Sequence, residues 1–229
     1  MVAEEGKYLP EIKRYDISTV KGSVIVKDFS AEKFKMHLKS NKVNVIKILP
    51  GGVVTAKDTA EIQLDEKGEF VRNPEEDIVK VAVVERHQGT GNVACGFLKG
   101  YGIKAGAVAL SIAHDSHNII VVGVSDEEME FAVNSLIAQE GGMVLVKEGK
   151  VIESMPMPIA GLMSDQSGEW VDEKLTAIHA KAYEELGIAG DVEPVMTLCF
   201  MSLAVIPEVK LTDMGLFDVT TFSFIPVEA

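Results

Sequence analysis

The chain has 229 residues, 47% of them hydrophobic and 25% charged, so it can bury a substantial core as one large domain or two small ones, and it lacks the composition of a disordered chain. Its formal net charge of −13 makes the average surface repel phosphate, which excludes nucleic-acid backbones and anionic membranes as general partners and leaves small neutral or cationic ligands open. No apolar run approaches the roughly 18 residues of a bilayer-spanning helix, and the opening Met-Val-Ala-Glu-Glu-Gly-Lys is too acidic for a signal peptide, which together point to the cytoplasm.

Residues 1–20 alternate charged and isolated apolar positions without a sustained period and read as a leader or docking arm ahead of one domain, 21–229. Residues 23–27 look like a short strand. Ser30 is placed to cap a helix over 31–39, with Phe34 and Leu38 on one face, and 42–49 returns as a β-branched strand before the Pro50-Gly51-Gly52 turn. One or two strands follow in 53–64, then a polar turn at 65–68 before Phe70 and Val71. The run 78–84 is apolar apart from Lys80 and reads as a central strand buried on both faces. Glycines crowd 96–106, predicting a short helix or turn, and strands are expected at 107–112 and 119–124.

Ser125 followed by Glu128 matches a capping box, in which hydroxyl and carboxylate each satisfy an amide of the first helical turn. The helix it opens carries Met129, Ala132, Val133, Leu136 and Ile137 on one stripe and stops at Gly141-Gly142. A hairpin about Glu148-Gly149 joins 143–146 to 150–154, halted by Met155-Pro-Met-Pro158. A second long helix is expected over 169–186, with Val171, Leu175, Ile178 and Ala182 as its stripe and Gly187 beyond it. Residues 196–205 are apolar throughout, and 216–225 alternates like a last strand. Short antiparallel strands with two long helices predict an α+β fold with mainly antiparallel sheet.

Two clusters concentrate polar groups: Glu85-Arg86-His87 with Thr90, and His114-Asp115-Ser116-His117-Asn118. Three of the five histidines lie in them, and histidine beside carboxylate can bind a metal or act as an acid–base pair. The plainer reading is a structural Glu85–Arg86 ion pair and a turn capped by Asp115, Ser116 and Asn118. In an extended strand His114 and His117 would point to opposite faces, so only a turn or a helical segment could bring them to one metal. His37 and His179 fall on expected helices among charged residues and read as solvated, Asp213 and Asp218 as turn closers. Cys95 and Cys199 stand far apart without a CxxC spacing and read as buried free thiols. The segment 155–164, rich in methionine, fits core filling or an interface.

At these clusters the chain resembles the C-terminal domain of adenine deaminase, of the amidohydrolase superfamily. The matching segments run in order through Val45-Ile-Lys-Ile-Leu-Pro-Gly51, Val83-Val-Glu-Arg-His87, Gly96-Phe-Leu-Lys-Gly-Tyr-Gly102, Ala113-His-Asp-Ser-His-Asn-Ile-Ile-Val-Val-Gly123, Met157-Pro-Ile-Ala-Gly-Leu-Met-Ser164 and Val205-Ile-Pro-Glu-Val-Lys-Leu-Thr-Asp213. The resemblance implies hydrolysis of adenine to hypoxanthine and ammonia, with manganese or iron activating the attacking water. It also implies a metal-binding barrel that begins with an H-x-H pair. This chain has no H-x-H and no room for a TIM barrel of about 250 residues beside the domain described, so the metal is expected mainly in a separate barrel chain.

By that resemblance Glu85, Arg86, His87 and Asp115 are candidate catalytic residues. Thr90, His114, His117 and Asn118 are candidate ligand-binding or supporting residues, with His114 and His117 also as metal candidates. The expected partners are adenine or a related purine, the barrel chain and a further copy of this chain. Two other readings stand beside this one: a non-catalytic purine-binding or oligomerisation module, and an independent small metallohydrolase.

Overall fold

The run Ile78–Val84 is buried at every position and forms the middle of the molecule. The computed structural model describes residues 2–8 and 15–229, so the expected arm falls partly outside the described residues. In chain order the strands are β1 (Ala3–Glu4), β2 (Lys7–Tyr8), β3 (Lys42–Ile48), β4 (Thr55–Glu61), β5 (Gln63–Leu64), β6 (Phe70–Val71), β7 (Ile78–Val84), β8 (Val93–Lys99), β9 (Ala107–Leu110) and β10 (Ile119–Gly123). They continue with β11 (Gly142–Lys147), β12 (Lys150–Pro156), β13 (Val209–Thr212), β14 (Gly215–Asp218) and β15 (Ser223–Ile225). The helices are α1 (Asp126–Ala138), α2 (Gly168–Glu184) and the short α3 (Met196–Cys199).

Eight strands make one sheet in the order β12-β11-β9-β10-β7-β8-β3-β4, antiparallel except where β3 runs parallel to β8. The fold is α+β, and the described residues contain no closed barrel. No described helix is long and apolar enough to cross a membrane.

The strand period of two sends alternate β7 residues to opposite faces. Val79, Val81 and Val83 join Val108, Leu110, Ile120 and Val122 beneath α2 and the chain around α3. Ala82 and Val84 join Ala109, Val121 and Val144 beneath Met129, Ala132, Val133 and Leu136 of α1. Each fully buried Val or Leu contributes about 1.5–3 kcal/mol, so helices on both faces make a single layered core. The small sheet β13-β14-β15 packs beside β8, its Leu211 and Leu216 completing the α2-side core.

α1 begins as the sequence predicts, with Ser125 Oγ accepting from the Glu128 amide at 3.2 Å, and α2, expected from 169, begins at Gly168 with Ser167 Oγ accepting from the Trp170 amide at 3.3 Å. The capping box is half formed, because the Glu128 carboxylate accepts from the Gly149 amide across the hairpin instead. Glu148 and Gly149 both have positive φ, as the tight turn of that hairpin demands.

Four expectations are corrected. Residues 23–27 form no ladder; Ile25 donates once to the Arg86 carbonyl. The helix expected over 31–39 is a single 3-10 turn, Ala31–Phe34, without a side-chain cap, and the chain then bends at His37 (φ +48), where the Glu69 carboxylate holds the Met36 and His37 amides. The glycine-rich 96–106 begins inside β8, since a side chain at Gly96 would press on Leu216 at 3.3 Å. The tail is two strands, divided where Asp218 accepts from the Thr220 and Thr221 amides.

Candidate functional site

β7 and β10 pair antiparallel with Val84 opposite Ile119, so the end of one strand and the start of the other lie at the same edge of the sheet. The two polar clusters are therefore neighbours along one edge.

Glu85 is 7% exposed, and its carboxylate is the hub of the loop after β7. Oε1 accepts from the His87 and Gln88 amides, and Oε2 accepts from the Thr90 amide at 2.9 Å and the Thr90 hydroxyl at 3.1 Å. Burial pushes its pKa up, but the Thr90, Gln88 and His87 amides together outweigh burial and hold it below the ordinary glutamate value.

The expected Glu85–Arg86 ion pair does not form. Arg86 is only 1% exposed and points the other way, with Nε donating to the His117 carbonyl and Nη2 to the Ala160 carbonyl at 3.2 Å. Nη1 has no partner, and burial pulls the guanidinium below its usual pKa. The Arg86 amide donates to Asn118 Oδ1 at 3.3 Å and its carbonyl accepts from Ile25. One buried arginine thus ties β7 to the histidine turn and to the Ala160–Gly161 bend.

The segment after β9 turns tightly, with the His117 amide donating to the Ala113 carbonyl at 2.6 Å and His117 at φ +53. That turn brings the two histidines together, their ring centroids 5.2 Å apart and their planes tilted by 56°, and sets His114 against Phe200 at 5.0 Å. Burial, then the neighbouring charges of His114 and Arg86, lower the His117 pKa, so its ring is neutral at neutral pH. Its Nδ1 is buried without a partner. His87 Nε2 meets the Ser116 carbonyl at 2.8 Å, joining the clusters directly, while Asp115 stands exposed at the tip of the turn.

The β13–β14 turn closes the group. Asp213 accepts from Asn118 Nδ2 at 3.2 Å and from Asn92 Nδ2 at 3.5 Å. Asp213, Ala160 and Phe200 belong to this edge although the sequence placed them apart from it; the signals were an Asp at the Thr212-Asp-Met-Gly215 turn and the Gly161 bend, neither pointing to a partner.

Among the described residues no three or more His, Cys, Asp or Glu side chains are grouped to hold a metal, whereas a zinc-like site takes three or four. The His114–His117 pair lacks a third donor there, so this edge does not fit a complete metal centre. Both thiols are free and raised to about 12 by burial, with Cys95 half-buried and Cys199 buried, so neither is a nucleophile at neutral pH. His37 and His179 are not simply solvated: His37 Nδ1 lies 2.8 Å from Glu69, and His179 pairs with Glu193.

Residues 52–223 match the family described as the adenine deaminase C-terminal domain. Over its whole length the chain is 66% identical to "Adenine deaminase 2" of Desulfotalea psychrophila, covering 40% of that protein. It is 48% identical to the adenine deaminase of Ligilactobacillus salivarius and 46% identical to "Adenine deaminase 2" of Carboxydothermus hydrogenoformans, in each case over 99% of this chain and 39% and 40% of theirs. The chain spans about 40% of the length of these relatives. It belongs to the family of adenine deaminase C-terminal domains.

Proposed function

We propose that the chain is the C-terminal part of a metal-dependent hydrolase converting adenine to hypoxanthine and ammonia, and that its histidine edge completes the active site against an amidohydrolase barrel that holds the manganese or iron. The observation that carries this reading is the convergence of His87, His114, His117 and Asn118 on one edge that the leading segment also reaches, through Val20 to Ala160 and Ile25 to Arg86. Glu85, with both oxygens engaged, shapes the loop that carries His87 and Thr90. The neutral His117 ring suits a neutral purine, to which it can offer a hydrogen bond without the cost of burying a charge. Asp115 is the exposed carboxylate nearest the histidines in sequence and the remaining candidate for proton handling. Residues 1–20 serve as a docking arm, and the site of action is the cytoplasm.

The test is ammonia release from adenine with manganese, for the chain alone and for its assembly with a barrel. The chain alone should be inactive. In the assembly, alanine at His87, His114 and His117 together should lower kcat/KM about 10–100-fold, the usual scale for groups that support a site. Full activity of that variant, or turnover by the isolated chain, would sink the reading.

One observation favours a second role. Phe222 and Phe224 are 75% and 56% exposed on the C-terminal hairpin and pack edge-to-face on Phe217, a surface suited to a homo-oligomer contact. Sedimentation of Phe222→Ser against the unmodified chain checks it, and an unchanged monomer–oligomer balance rejects it.

A further inference from the structure

A cavity of about 300 Å³, at the small end of ligand sites, lies between the β3–β4 turn and the segment that leads into α3, and shares no residue with the histidine edge. β3 runs parallel to β8, and β8 pairs antiparallel with β7. The β3–β4 turn therefore lies beyond the Ile78 end of the central strand, about 20 Å along it from Val84 and the histidines. Ile48 and Val192 are buried in the wall, and Leu49 and Met196 keep 38% and 55% exposure, so an apolar body can be withdrawn from water there.

The polar side chains of the wall are few. No lysine or arginine lines the cavity, and its two carboxylates, Asp191 and Glu193, disfavour a phosphate or carboxylate ligand. Glu193 is engaged at both oxygens, by the His179 ring and by the Met196 amide, whereas Asp191 has no partner among the described residues. Thr197 is 6% exposed, and its amide donates to the Glu193 carbonyl at 3.3 Å, yet its hydroxyl makes no hydrogen bond among the described residues. A buried hydroxyl without a partner is costly, and a ligand that bonds to it recovers that cost. The frame is set in advance: Tyr101 and Tyr183 donate their hydroxyls to the Pro194 and Val192 carbonyls at 2.8 and 3.0 Å, and the Lys210 ammonium holds the Val53 carbonyl at 2.9 Å. Lys210 does not line the cavity, but its charge behind that wall disfavours a cationic ligand as Asp191 disfavours an anionic one.

We propose that this cavity is a second, non-catalytic binding site for a small uncharged molecule with apolar faces and an N–H edge, the class of a free purine base, with Asp191 and Thr197 as its polar anchors. A ligand N–H donates to the free Asp191 carboxylate, and the Thr197 hydroxyl bonds to a ligand nitrogen as donor or acceptor. A nucleotide of the same base is turned away by the carboxylates. The choice of adenine as the probe rests on the hydrolase reading above.

Amide-detected NMR of the intact chain, titrated with adenine up to ~5 mM, tests the assignment. Saturable shifts are expected at residues 48–53 and 191–197. Asp191→Ala and Thr197→Val should each weaken binding about threefold to tenfold, the worth of one hydrogen bond, with the far-UV circular dichroism unchanged. Alanine at His87, His114 and His117 together should leave these shifts in place, and neither adenosine monophosphate nor the cation benzylamine should match adenine. Shifts confined to 113–118 that vanish in the triple variant would overturn this site while leaving the hydrolase reading intact. Loss of that reading in the ammonia assay would not move these shifts. No saturable shift at 48–53 and 191–197, equal affinity in the folded Asp191→Ala and Thr197→Val variants, or tighter binding of benzylamine or the nucleotide overturns the proposal.

Discussion

Lys210 has no solvent exposure and donates its ammonium to one acceptor, the Val53 carbonyl at 2.9 Å. Burial lowers its pKa to about 8. Glu85, buried almost as deeply, is stable as an ion because four donors surround it, whereas one neutral carbonyl cannot replace the hydration of an ammonium. Replacing Lys210 with methionine leaves one carbonyl short of a donor but removes a buried charge, and relief of the charge outweighs the lost hydrogen bond. Lys210→Met should therefore raise stability at pH 7 by on the order of 1–3 kcal/mol. The advantage has a pH window. The folded-state pKa lies below the free value of 10.5, so the unfolded chain binds more protons between about 8 and 10.5, and the unmodified protein gains stability as pH rises through that interval. Urea unfolding at pH 7 and near pH 10 checks both points: the two proteins should converge at the higher pH, and a gain that is absent at pH 7 or grows with pH would refute the account.

At the scale of elements, α1 ends in a six-residue closure in which the Gly141 amide donates to the Leu136 carbonyl at 2.9 Å and the Glu140 amide to the Ile137 carbonyl at 3.1 Å. The non-glycine residue forced into the left-handed region there is Glu140, at φ +64, just ahead of the glycines that mark the stop in the sequence. Its side chain makes no hydrogen bond among those described, so Glu140→Gly relieves backbone strain without losing a contact and should stabilise the fold by about 0.5–1 kcal/mol. A rise in Tm of a few degrees is the expected reading, and a fall would mean that Glu140 is held by something other than the closure. Elements such as α1 were legible in the sequence, along with β3, β7, β10 and α2, because the strands are apolar, β-branched runs and the helices carry an apolar stripe that ends at a glycine. β8 was hidden because Gly96 resembles a breaker, and its reason for being glycine is a leucine from a strand more than a hundred residues later. The 31–39 helix failed because Glu69 offers the Met36 and His37 amides better partners than a further turn would. The two clusters of the candidate edge were legible as strand exits, and their adjacency followed once β7 paired with β10. The orientation of Arg86 away from Glu85 was not legible, since its acceptors are backbone carbonyls that only the folded chain brings together.

The molecule as a whole is held at its functional edge by that arginine. Arg86 joins segments 31 and 74 positions away through its side chain, and Ile25 reaches the same residue from the leading segment, so four stretches of chain meet at one buried group. Gly161 is part of the arrangement: a side chain there would meet Nη1 at 2.7 Å, and its φ of +71 favours glycine. Truncation to methionine would spare the desolvation of a charge, as at Lys210, but here two partly buried carbonyls lose charge-assisted donors at about 1–3 kcal/mol each, and the balance reverses. Arg86→Met should cost on the order of 2–4 kcal/mol, and Arg86→Lys should recover little of it, because an ammonium lacks the fork that spans both the His117 and Ala160 carbonyls. The loss should also be local in its dynamics. Amide exchange should quicken in residues 20–25, 113–118 and 159–163, while the paired amides of α1 and of β9–β11 keep their protection, since the α1-side core makes no use of Arg86. Uniformly faster exchange across the sheet would show that the edge is continuous with the core, and unchanged exchange at all three segments would show that Arg86 is not the tie.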